Sequence, residues 1–153
     1  MNAHTTPQAL QVEELLQAAR GRAPGLSNFG DDNYRQALAV LTQSLNTEAK
    51  LSTTGLVMMR ERLVGQLVNR LIMEDYFKRF PEIGQIEIDD PLVIVGLPRT
   101  GTTMLQRTLA VDPRFYSAAW WETRYPAPLV GEGPQDAATR IELAKAEVAQ
   151  TIE

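Results

Sequence analysis

The sequence predicts an α/β chain in which a parallel-sheet unit of strand, loop and helix follows an all-helical N-terminal extension. Three observations carry this reading. Apolar residues recur at helical spacing between Pro7 and Phe80. At Asp90-Pro91 that period gives way to a continuous apolar run, Leu92-Val93-Ile94-Val95. A glycine-bounded loop from Gly96 to Gly101 then opens a new helical pattern. An unbroken, β-branched run belongs to a strand buried on both faces, the kind found in parallel sheets. The chain accordingly divides into a helical extension, 1–88, and the N-terminal part of a sheet domain, 89–153.

The elements follow in order. Val12, Leu15, Leu16 and Ala19 mark a short amphipathic helix over Pro7 to Arg20, after a Thr6-Pro7 start and before Gly21, Pro24 and Gly25. A second helix, Asp32 to Leu45, takes Asp31 or Asp32 as N-cap and carries Tyr34, Leu38, Leu41 and Leu45 along one stripe. The longest runs from Thr53 to Phe80. Its wide apolar face joins Leu56, Met59, Leu63, Leu67 and Leu71 to Val64, Val68, Ile72 and Tyr76, and Pro81 stops it. Such a stripe is core packing, not a cofactor box.

After the strand at 92–95 and the loop, Thr102 to Ala110 reads as a helix that turns Leu105, Thr108 and Leu109 toward the sheet, and Asp112-Pro113 ends it. Phe115 to Trp121 reads as a second strand with Glu122 at its C-terminal end, the edge where open α/β sheets bind ligands. A proline- and glycine-rich loop, Tyr125 to Pro134, leads to a last helix from Gln135 with Ala137, Ile141, Ala144 and Val148 on one face. Two strands make an unfinished parallel sheet, and the last helix runs to Glu153 without a glycine or asparagine cap. The expectation is an incomplete domain, the N-terminal part of a longer protein.

Composition narrows the chemistry. Without cysteine there is no disulfide, thiolate nucleophile or cysteine-bound metal, and with His4 the single histidine there is no Ser-His-Asp triad or histidine metal site. No metal is expected. A net charge of −4 without a basic run argues against nucleic acid as a partner. No apolar run approaches the roughly 20 residues of a membrane span. The polar stretch Met1 to Thr6 lacks the plan of a signal peptide, and the chain reads as cytoplasmic.

The spacing of Gly96 and Gly101 matches a P-loop of the Walker A type, yet Thr102-Thr103 stands where a nucleotide triphosphatase has lysine and a hydroxyl residue. Anion binding survives that change. Amides from Thr100 to Thr103 meet the positive end of a helix, and two hydroxyls add donors. Arg99 supplies a permanent cation whose fork suits phosphate or sulfate oxygens. An ATP- or GTP-binding, kinase-like module with a degenerate loop is the alternative. It lacks the lysine, and no aspartate closes an apolar strand to hold magnesium.

The stretch from Val95 to Leu105, with Leu109-Ala-Val-Asp-Pro113, Trp121-Glu122 and Tyr125-Pro-Ala-Pro128, resembles the bacterial branch of the sulfotransferases that use 3′-phosphoadenosine 5′-phosphosulfate (PAPS). The likeness covers Pro91 to Leu129. It implies transfer of a sulfuryl group from PAPS to a hydroxyl or amine of a small-molecule acceptor. It also implies that Pro98, Arg99, Thr100, Gly101, Thr102 and Thr103 hold the 5′-phosphosulfate, with Arg99 assisting the departing phosphate and Thr102 and Thr103 contacting it. Several branches of the family place a glutamate after the second strand, which implies Glu122 as the general base that takes the acceptor's proton. Trp120 and Trp121 beside it are expected to raise its pKa by desolvation and to wall an apolar acceptor pocket. A strand-end acid paired with Arg124 is the plainer reading of Glu122. Arg107 and Arg114 are further candidate anion ligands, or a solvated helix face and a turn. Asp31-Asp32 and Asp89-Asp90 need only capping and turn roles. The arginine and serine that bind the donor's 3′-phosphate in the family have no match here, nor do the adenine contacts.

Overall fold

The long apolar stripe organises the molecule. In the computed structural model, which describes residues 9–129, 131–133 and 136–152 (backbone only for 150–152), it forms α3, Thr53–Arg79. Ser52 caps this helix, its hydroxyl accepting from the Gly55 amide at 3.1 Å. Its end falls immediately before Pro81, where a 3₁₀ turn, Pro81–Gln85, begins. Leu63, Val64, Leu67, Leu71 and Ile72 are buried on the predicted face.

Against that face packs α1, Val12–Arg22, and α2, Asn33–Thr47, packs on α1. Leu15, Leu16 and Ala19 of α1 are fully buried in a core with Leu10, Ala23, Phe29 and Leu38. Polar ties add to this layer. The Asn46 side chain accepts from the Leu10 amide and donates to the Leu10 carbonyl, both at 2.9 Å. Arg70 donates to the carbonyls of Phe29 and Asp31 and lies over the Tyr34 ring at 4.4 Å. Asp32 stands at the α2 N-cap but makes no side-chain cap, because its carboxylate binds Arg35 at 2.8 Å. Leu41, predicted on the α2 stripe, is exposed. The proposed α1 start at Thr6-Pro7, like His4, lies outside the described residues.

The remaining helices are α4, Thr102–Leu109; α5, Trp120–Arg124; and α6, Ala138–Ile152, with Ala144 buried on it. Helix α5 packs on α6. The proposed helix start at Gln135, with Pro134 before it, is outside the described residues.

The predicted parallel-sheet unit is not what forms. Among the described residues there is no strand and no sheet, and the chain is all-helical. A doubly buried strand draws its hydrogen bonds from neighbours on both edges. No second strand lies beside 92–95, so this run takes no regular structure, and Leu92, Val93 and Val95 stand 57%, 72% and 89% exposed. The second predicted strand, Phe115 to Trp121, also fails. Its last two residues instead open α5, whose first turn the Glu122 carboxylate closes by accepting from the Ala119 amide at 2.6 Å. With no sheet behind it, α4 buries none of its residues, and Leu105 is exposed rather than packed.

Candidate functional site

The loop between Gly96 and α4 keeps its predicted form without a strand before it. The Thr100 hydroxyl donates to the Leu97 carbonyl at 2.6 Å, which pulls the loop into a tight turn. Gly96 lies under that turn. A Cβ there would stand 2.7 Å from Thr102 Cγ2 and 2.9 Å from Thr100 Oγ1, so the loop closes only over a residue with no side chain. Arg99 takes a left-handed conformation, φ 64°, and Gly101, the N-cap of α4, another at φ 88°. The first intrahelical bond runs from the Leu105 amide to the Gly101 carbonyl at 3.0 Å, leaving the amides of Thr102, Thr103 and Met104 without a helical acceptor.

An open depression of about 700 Å³ lies over this helix start, lined by Arg99, Gly101, Thr102, Thr103, Met104 and Arg107 and by Thr108 and Val111. Two cations and three hydroxyls face it, and no carboxylate does. Neither Arg99 nor Arg107 has an ion-pair partner among the described residues. Arg99, Thr103, Arg107 and Val111 follow at i, i+4 spacing, the signal in the sequence that places Arg107 and Val111 beside the loop. Pro98 and Thr100 do not line the depression; the Thr100 hydroxyl is engaged with Leu97. Arg114 is engaged too, gripping Asp112 with Nη2 at 2.6 Å and Nε at 3.0 Å, and this guanidinium holds the Asp112 carboxyl below the usual range. That arrangement is the turn role.

Glu122 sits outside the depression, third residue of α5. Its Oε1 accepts from the Tyr116 hydroxyl and its Oε2 from the Ala119 amide, each at 2.6 Å. The Tyr116 bond above all, with the amide and the charge of Arg140, holds the Glu122 carboxyl below its ordinary range against a smaller opposing effect of burial. The same bond raises the Tyr116 phenol. The tryptophans therefore do not govern this acid as the sequence predicted; hydrogen bonding to the ionised form outweighs desolvation. Trp120 and Trp121 instead line an open apolar groove of about 480 Å³ with Ile141, Ala144 and Val148 of α6. The loop helix is tied to the segment leading to Glu122 by Gln106 Nε2, which donates to Ser117 Oγ at 2.6 Å.

Arg124 is not the partner of Glu122. It binds Glu147 of α6, Nε to Oε2 at 2.8 Å and Nη2 to Oε1 at 2.7 Å, a pairing that local sequence spacing does not announce. Arg140 forms a buried ion pair with Glu132 at 3.1 Å and stacks on Trp121 at 5.2 Å.

The family model of the sulfotransferase family matches residues 91–152, the segment that contains the loop, α4, Glu122 and α6. The whole described arrangement is similar to the crystal structure of sulfotransferase STF1 from Mycobacterium tuberculosis, with TM-score 0.77, 35% sequence identity and 95% of this chain aligned. Residues 91–152 thus match the sulfotransferase family, and the chain as a whole is similar to a bacterial sulfotransferase. It spans 40% of the STF1 chain. Among curated proteins none matches it. The likeness to STF1 extends over the helical layer, beyond the stretch from Pro91 to Leu129 that carries the resemblance in the sequence. No helix among the described residues is long and apolar enough to cross a membrane.

Proposed function

We propose that this chain supplies the donor-binding loop of an enzyme that moves a sulfuryl group from PAPS to a hydroxyl or amine of a small-molecule acceptor. The observation that carries the proposal is the helix start at Gly101. Free amides of Thr102, Thr103 and Met104 converge there with Arg99 and the threonine hydroxyls on a depression without a carboxylate. Backbone donors at the positive end of a helix favour an anion, and an arginine fork matches tetrahedral oxygens.

On this reading Pro98 to Thr103 hold the 5′-phosphosulfate. Pro98 and Thr100 shape the turn, while Arg99, Gly101, Thr102 and Thr103 face the group. As the acceptor oxygen forms its bond to sulfur, the bond from sulfur to the phosphate oxygen breaks and negative charge grows on the departing phosphate. Arg99 and the loop amides then bind the transition state more tightly than the ground state. Glu122 takes the acceptor's proton. Each carboxylate oxygen keeps a lone-pair site beyond its present bond, so the acid accepts from an incoming hydroxyl without releasing Ala119. Segment 89–153 is read as the N-terminal part of the catalytic domain, behind the helical extension 1–88. The 3′-phosphate and adenine contacts come from other residues of the assembled enzyme.

Calorimetry on the native gene product that carries these residues tests the loop. PAPS, or its desulfated product, is expected to bind with the same affinity in the presence of a magnesium chelator, and ATP at least tenfold more weakly. Tight, magnesium-dependent ATP binding would replace this reading with the kinase-like one.

A further inference from the structure

Helix α5 carries Glu122 yet has five residues and buries none of them. A helix that short has no stability of its own, so its pose is set by whatever grips it. Arg124, its last residue, is where the grip is concentrated. The guanidinium meets both oxygens of Glu147 on α6, at 2.8 and 2.7 Å, and its side chain is 16% exposed. It lies 4.7 Å from the centre of the Tyr125 ring, whose hydroxyl donates to the same Glu147 carboxylate at 2.9 Å. The Arg124 carbonyl accepts from Asn69 of α3 at 2.6 Å.

The side chain also crosses α3 at one particular residue. A Cβ on Gly65 would stand 3.0 Å from Arg124 Nη2 and 3.5 Å from Nη1. Gly65 interrupts a 27-residue helix at a position where alanine is intrinsically the better helix former. The glycine thus opens a notch in the helical layer where the guanidinium lies.

We infer that Arg124, seated in the Gly65 notch and held by Glu147, is a positioning residue that fixes where α5 presents Glu122. This rests on the reading of Glu122 as the general base. The groups facing Glu122 are the Tyr116 hydroxyl, the Ala119 amide and the charge of Arg140. A shift of α5 carries the Ala119 amide with it but alters the distances to the Tyr116 hydroxyl and to Arg140, and so lets the carboxyl return toward its ordinary range.

Gly65→Ala is the informative variant, since it favours the helix while pressing on the guanidinium. In the native gene product its melting temperature should be unchanged or higher. Its kcat should fall about tenfold, given that an ångström of misplacement can cost up to about 10² in rate, and its acidic limb should move to higher pH at constant KM for the donor. Arg124→Gln and Glu147→Gln should each lower kcat, and the double variant should be no worse than the more damaged single. An independent readout exists because Trp120 and Trp121, the two tryptophans of the chain, both lie on α5. Their emission in the 153-residue chain should shift in Gly65→Ala and Arg124→Gln. If Gly65→Ala leaves emission, kcat and the acidic limb as they were, the inference is overturned, whatever Arg124→Gln does to folding. If emission shifts but Glu122→Gln keeps full activity, the assignment of Glu122 as base fails and the grip on α5 stands.

Discussion

At Glu122 one carboxylate closes the first turn of α5 and, in the proposed reaction, removes a proton. The two roles are compatible because the bonds from Tyr116 and Ala119 keep the acid ionised, which is the form a base must have. Their effect on pH dependence has a definite sign. A carboxyl held below its ordinary range loses its charge only at lower pH, so the acidic limb of kcat should fall below the usual glutamate range near 4.3 rather than above it. Glu122→Gln should lose on the order of 10²–10⁴ in kcat and abolish that limb, with donor affinity nearly constant. Arg99→Ala should lower kcat more than donor affinity, since its charge is matched to the departing phosphate. Near-parental turnover of Glu122→Gln, with the limb in place, would reduce Glu122 to its capping role.

Among the elements, the loop from Gly96 to Gly101 depends on two glycines for different reasons. Gly101 provides a left-handed backbone at the α4 N-cap, and its missing side chain faces open space. Gly96 has the opposite problem, for a methyl there would strike Thr102 and Thr100. Gly96→Ala should therefore open the turn and weaken donor binding by about tenfold or more, the cost of roughly 1–3 kcal/mol that overpacking brings. The melting temperature of the helical layer should stay the same, because α4 buries no residue in it. Calorimetric titration paired with a thermal scan separates the two effects. Donor affinity within twofold of the parent would show that the turn does not shape the site.

The whole molecule rests on the packing of α1 against α3, with α2 on α1. Leu71 is 1% exposed in that layer, and Leu71→Ala should cost about 2–5 kcal/mol, measured by denaturant unfolding. The loop and α4 lie outside this core and add little to it. Site and stability are thus carried by different parts of the chain, joined through α3 by Gly65 and Asn69 to Arg124.

This separation also explains what could be read early. The three long helical segments, Pro81 after α3, and the tight loop from Gly96 to Gly101 were all legible, because helical period and the placement of proline and glycine act over a few residues. The same local chemistry carried the resemblance to the sulfotransferases, which rests on residues 91–129. The sheet was misread for a related reason. The run Leu92 to Val95 has the composition of a buried strand, but a strand is made by its neighbours' hydrogen bonds, and no neighbour lies beside it among the described residues. Phe115 to Trp121 followed the same composition, while the Glu122 carboxylate on the Ala119 amide favoured a helix at its end. The bond from Tyr116 to Glu122, the union of Arg124 with Glu147, and the Gly65 notch under Arg124 depend on residues 6, 23 and 59 positions apart. Only the folded chain brings such groups within hydrogen-bond distance, since contact energies of this kind are decided by tertiary packing and not by local propensity.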